Sequence, residues 1–145
     1  MNTTRSKTLQ ELENCDWGEP SFDSSLVSTV HRLRRTPIEE FTIEDLRVAI
    51  GQDVGLPHLI PLAIERLEEN PLAQGDHYPG DLLKSVLVVD ELFWRTHAAL
   101  RAAVEIILLR AEHFLQQSTE DDHKMLKESL NEGAERFRSS VGIDP

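Results

Sequence analysis

The chain reads as an all-α single domain, a bundle of about six or seven helices closed by a long C-terminal helical hairpin. Three observations predict this. Apolar residues recur at three- and four-residue intervals through most of the sequence. Capping and stop signals separate the periodic stretches. The 145 residues suit one domain able to bury a core, and neither an internal repeat nor a low-complexity tract divides them, so residues 1–145 are taken as one unit.

Residues 8–13 form a short first helix. Asp23 is read as the cap of the second, whose buried face carries Leu26, Val27, Val30 and Leu33; a carboxylate there accepts orphan backbone N–H groups. His31, Arg32, Arg34 and Arg35 complement the dipole at that helix's end, with Glu44 or Asp45 as partners for the first two. Thr36-Pro37 stops it. Thr42 and Asp45 make a capping box with Asp in place of the usual Glu or Gln. Ile43, Leu46, Ala49 and Ile50 follow as an apolar stripe, and Gly51 is placed at the C′ position.

Pro57 opens the next helix in its first turn, with Leu59, Ile60, Ala63, Ile64 and Leu67 inward. Pro61 predicts a kink there or a later start. Residues 70–81 are rich in turn formers. Leu82, Leu83, Val86 and Leu87 then recur at helical spacing, although Val88-Val89 has strand propensity. Phe93, His97, Leu100, Val104, Ile107, Ala111 and Leu115 predict one long helix over 91–116. A polar break at 118–122 precedes a final helix bearing Leu126, Leu130, Ala134 and Phe137. The pair forms an antiparallel hairpin.

Composition narrows the function. The net charge of −11 repels nucleic acid and anionic lipid and attracts cationic partners. The single cysteine, Cys15, forms no disulfide within the chain and suits a reducing compartment. It lies among acids, which disfavour a thiolate, so a buried or idle thiol is expected. The N-terminus shows no apolar signal-peptide core, and the apolar run at 104–109 is too short and charged to span a bilayer. These readings place the chain in the cytoplasm, off the membrane.

The six histidines lack the paired spacing of a zinc site, and the carboxylate pairs Glu39-Glu40, Glu68-Glu69 and Asp121-Asp122 stand beside no nucleophile. No phosphate-cradling glycine loop is present. The expectation is a non-enzyme with no catalytic residues, no metal and no cofactor. Residues 42–67 outline a helix-turn-helix, which would make a DNA-binding regulator. The second helix, however, begins Leu56-Pro57-His58-Leu59-Ile60-Pro61, without a cation before Arg66 to meet phosphate. A non-catalytic helical scaffold is the other alternative.

Three segments carry a more specific signal: Cys15-Asp16-Trp17-Gly18-Glu19-Pro20-Ser21-Phe22-Asp23; Thr42-Ile43-Glu44-Asp45-Leu46-Arg47 with Gly51-Gln52 and Gly55; and Asn70-Pro71-Leu72-Ala73 through Gly75-Asp76-His77-Tyr78-Pro79-Gly80-Asp81-Leu82-Leu83. In order and spacing they resemble bacterial contact-dependent growth inhibition (CDI) immunity proteins over residues 8–94. Residues 95–145 read as a helical extension. The resemblance implies a cytosolic antidote that captures the C-terminal toxin domain of its cognate CDI system. It leans toward a nuclease toxin, a ribonuclease first, with a basic surface occluded at its active site. A monomer is expected.

The residues assigned to toxin binding are Asp16, Trp17, Glu19 and Asp23 in one acidic loop and Asp76, His77, Tyr78 and Asp81 in another. Loops on a rigid scaffold commonly carry recognition. Trp17 also fits a plug at the core edge, and Asp23 and Asp81 also fit helix caps. Glu65, Glu68 and Glu69, on one exposed helix face, form the second choice.

Overall fold

A computed structural model describes residues 3–18, 24–119 and 123–141, and their regular secondary structure is helical with no strand. Among the described residues there are eight α-helices: α1 (Leu9–Glu13), α2 (Ser25–Arg34), α3 (Ile43–Gly51), α4 (Leu56–Glu69), α5 (Asp81–Leu87), α6 (Glu91–Thr96), α7 (Ala98–Gln117) and α8 (His123–Val141). Two 3-10 turns add to them, Thr3–Ser6 and Ile38–Glu40. An isolated antiparallel bridge between Thr8 and Pro37 ties the N-terminal segment to the second turn.

The starts of α1 and α3 follow from their sequences. Thr8 and Glu11 form a full capping box, and so do Thr42 and Asp45, each satisfying two orphan N–H groups. The cap of α2 is Ser24, whose side chain accepts from Val27 N–H; it stands one residue after the expected Asp23, which lies outside the described residues. Gly51 is helical and not a C′ residue. The left-handed turn falls instead on Asp53, with φ 58°, a residue type that tolerates this region. Helix α4 starts after Gly55, whose φ is 62°. A side chain on Gly55 would meet Leu9 Cδ2 at 2.5 Å, so both backbone and packing require glycine. Pro61 lies inside α4 without ending it. Residues 81–87 are helix, as their spacing indicates.

The expected single helix over 91–116 is two. It breaks at His97, which has φ −133° and ψ 59°. Thr96 Oγ1 donates to the carbonyls of Leu92 and Phe93, and His97 Nδ1 lies 2.8 Å from the Phe93 carbonyl oxygen. Side chains thus occupy the carbonyls that would continue the backbone ladder. His97 also stacks on Phe93 with ring centroids 4.0 Å apart. Leu100 is only partly buried, whereas Val104, Ile107, Leu108, Ala111 and Leu115 face the core.

The core is continuous through the bundle. Helix α3 packs on α4 and α5, α4 on α7, and α8 on α5, α6 and α7. Helix α8 docks through Leu130, Ala134 and Phe137. Phe137 meets fully buried Trp94 edge-on at 5.4 Å, a favoured aromatic geometry. Gly133 faces α5 instead, where a side chain would meet Leu87 Cδ1 at 3.1 Å, so the glycine lets α8 lie close to α5. Arg138 clamps α8 to α7 by bonding both Glu105 and Glu112, which raises the guanidinium pKa. No helix among the described residues is long and apolar enough to cross a membrane.

Candidate functional site

The loop between α4 and α5 is built around a buried carboxylate. Asp81, the first residue of α5, is 3% exposed. Its Oδ1 accepts Gly75 N–H at 2.6 Å, and its Oδ2 accepts His77 N–H at 3.0 Å and Tyr78 N–H at 3.4 Å. Gly80 precedes it with φ 89°, and this left-handed turn lets the chain fold back over Asp81. Asp81 therefore shapes the loop from within and has no free face for a partner, in contrast to the expectation that it makes contact.

A second carboxylate supports the same loop from α3. Glu44 Oε1 accepts Asp76 N–H at 2.9 Å. Arg47 grips Glu44 in a bidentate pair, with Nε to Oε1 at 2.7 Å, and lies 3.8 Å from Asp81. Arg47 is the main reason the Glu44 carboxyl is pulled down to about 2, with the Asp76 N–H adding to the effect and desolvation opposing it. Gly75 sits between both carboxylates: a side chain there would meet Glu44 Oε1 at 2.5 Å. With these anchors in place, Asp76, His77 and Tyr78 project outward, Tyr78 at 39% exposure.

The other loop is anchored on α2. Arg34 is 2% exposed; it pairs with Glu13 and donates to the Cys15 carbonyl at 2.7 Å. Arg35 donates to the Gly18 carbonyl, and His31 Nδ1 lies 3.1 Å from the same oxygen. Asp16 Oδ1 accepts Gly18 N–H at 2.7 Å, closing a tight turn. Trp17 is no core plug. It is 47% exposed, lies over the Arg34 guanidinium at 4.2 Å and meets His31 edge-on. Cys15 is exposed, not buried. Glu19 and Asp23 lie outside the described residues.

Thus Asp16 and Trp17 are presented from α2, and Asp76, His77 and Tyr78 from the α3–α5 frame. Helices α2 and α3 pack together, and Arg32 of α2 lies 3.7 Å from Asp45 of α3, as the sequence indicates for that end of α2.

The third acidic set is continuous with the second loop. A shallow depression lined by Glu39, Glu40, Glu44, Arg66 and Asp76 adjoins a groove lined by Ile38, Leu62, Glu65 and Glu69. Both include Glu39, Phe41 and Arg66. Glu65 is itself paired with Arg5. Asp76 and two of the three α4 acids, Glu65 and Glu69, therefore edge one acidic surface, whereas Glu68 lines neither depression. Its middle, Glu39 and Glu40 on the Ile38–Glu40 turn, escapes the sequence-based assignment. Only the Glu-Glu pair signals it, and such pairs are usually just solvated.

No group of three or more metal-binding side chains occurs among the described residues. The arrangement offers carboxylates and aromatics fixed on a rigid frame, suited to binding a cationic protein surface. In comparison with known families, a model described as CDI immunity proteins matches residues 11–104. No curated protein matches the chain.

Proposed function

From the premise that this chain belongs to the CDI immunity proteins and so neutralises a CDI toxin, we propose that it does so by stoichiometric occlusion of a nuclease active site, a ribonuclease first. It acts without turnover, in the cytoplasm. A nuclease holds phosphate with Lys, Arg and His. An acidic inhibitor fits that cleft through steered encounter and charge-assisted hydrogen bonds.

The observation that supports this reading best is the clamped loop at Gly75–Tyr78. Its backbone N–H groups are taken by Glu44 and Asp81, while Asp76 and Tyr78 stay exposed. Prior ordering lowers the entropy lost on association. Asp16 and Trp17 form a second contact area, and Glu39, Glu40 and Glu69 extend the first.

The test is toxin affinity alongside a thermal melt. Asp76→Ala combined with Tyr78→Ala is expected to cost about 2 kcal/mol or more per hot-spot residue with an unchanged melt. Glu132→Ala, on the exposed face of α8, serves as the neutral control. Full affinity in the loop variant with loss in Glu65, Glu68 and Glu69 variants would move the contact to α4. A modified toxin after sub-stoichiometric exposure would replace occlusion by catalysis.

A further inference from the structure

Helix α7 is apolar on two opposite sides. Val104, Ile107, Leu108, Ala111 and Leu115 fill the core. On the outer side Ile106 is 61% and Leu109 is 54% exposed, and Ala99, Ala102 and His113 are exposed beside them. Positions 99, 102, 106, 109 and 113 alternate in steps of three and four, the spacing of a coiled-coil seam. The core explains the inner stripe alone; among the described residues nothing packs on the outer one.

We propose that this outer face of α7 pairs with the same face of a second copy, as an antiparallel helix dimer. The local charges give a basic partner no foothold here, and the size pattern of the seam fits a second copy. The seam carries no acid. Glu105 and Glu112, which border it, are both engaged by Arg138, and Arg110 on the other border donates to the Glu68 carbonyl. A cationic surface is drawn to the acidic face around Asp76 and Glu39 and gains little here, whereas a second seam buries aliphatic surface against its own kind.

Side-chain size sets the direction. In a parallel pair Ala99 and Ala102 would face their own copies and leave a void, while His113 would face His113. A two-fold axis between Ile106 and Leu109 instead sets Ile106 on the other copy's Leu109 and Ala102 on its His113, small against large at each end. The two helix dipoles then also oppose. The seam is about 21 Å long at the helical rise. Two such seams bury on the order of 1,000 Å², the lower limit for a specific interface, so the dimer is weak.

Sedimentation of the full chain over a concentration series tests this without any toxin. The expected result is a monomer–dimer equilibrium with a dissociation constant on the order of 10–100 µM. Added salt should tighten it, because two chains of charge −11 repel and screening relieves that repulsion. Leu109→Glu should weaken it at least about 30-fold by placing two carboxylates in the seam, with an unchanged thermal melt because the site is exposed. A chain monomeric to about 1 mM overturns the proposal, as does a dimer that Leu109→Glu leaves intact. A monomeric parent whose toxin affinity falls in Leu109→Glu also overturns it and gives the face to the toxin.

Discussion

Replacing Asp81 by Asn would keep the side chain's size and remove both its charge and one of its acceptors. In the parent, one oxygen serves Gly75 and the other serves His77 and Tyr78, with the side chain 2% exposed. The amide can present its oxygen to only one of these sides. Its NH2 group must then face the N–H donors on the other side, and Arg47 loses a nearby anion. A buried donor left without a partner costs about 1–3 kcal/mol, reduced here because the loop can open and let water in. A net loss of about 2 kcal/mol results, and for a chain of this size it lowers Tm by roughly 6 °C. Hydrogen exchange should speed up at Gly75, His77 and Tyr78 while the α4 and α7 core keeps its protection. Toxin affinity should fall with it, although the side chain at position 81 need never touch the toxin. A Tm within about 1 °C of the parent and unchanged exchange at those amides would show that the carboxylate does not organise the loop.

Two more outcomes follow from the same charges. Glu44, held down to about 2 from an ordinary 4.5, contributes stability that is fully present above about pH 4.5 and fades as pH falls toward 2. The melting gap between parent and Glu44→Gln, on the order of 2 kcal/mol at neutral pH after allowing for its partial exposure, should therefore close across that window; a gap constant with pH refutes the pairing. Association with the toxin should slow as salt rises, with dissociation changing less, because exposed charges are screened beyond about 8–10 Å; a salt-independent association rate would leave the acidic surface with a solubility role alone.

The helices are largely legible in the sequence because the signals that create them are local. Apolar spacing sets which face is buried, and Thr42-Asp45 or Gly55-Pro57 marks where a helix begins. The break at His97 is not legible, because Phe93 and Leu100 lie in phase on either side of it. The competition of Thr96 and His97 for carbonyls leaves no trace in hydrophobic periodicity. Trp17 is hard for a related reason. Its neighbours in sequence, Gly18 and Pro20, are those of a core plug, but its partners in space are Arg34 and His31 of α2.

The site is legible as segments and not as a mechanism of assembly. The stretch from Thr42 to Arg47 and the loop before Asp81 stand out separately. Their connection is the Glu44 bond to Asp76, across 32 residues, and no spacing rule reports such a contact. That connection also changes what the net charge means. Glu13, Glu44, Glu105 and Glu112 are engaged by arginines, and Asp81 is buried, so these acids are structural. Glu39, Glu40 and Asp76 remain exposed on adjoining depressions with Glu69, and no ion pair engages them among the described residues. The paired arginines thus sort a chain that looks uniformly acidic into a largely neutralised frame and an outward face on which acids outnumber Arg66 and Arg5. A folded bundle can hold that face rigid, whereas a flexible acidic tail of equal charge would have to be ordered by the toxin itself, at an entropic cost taken from affinity.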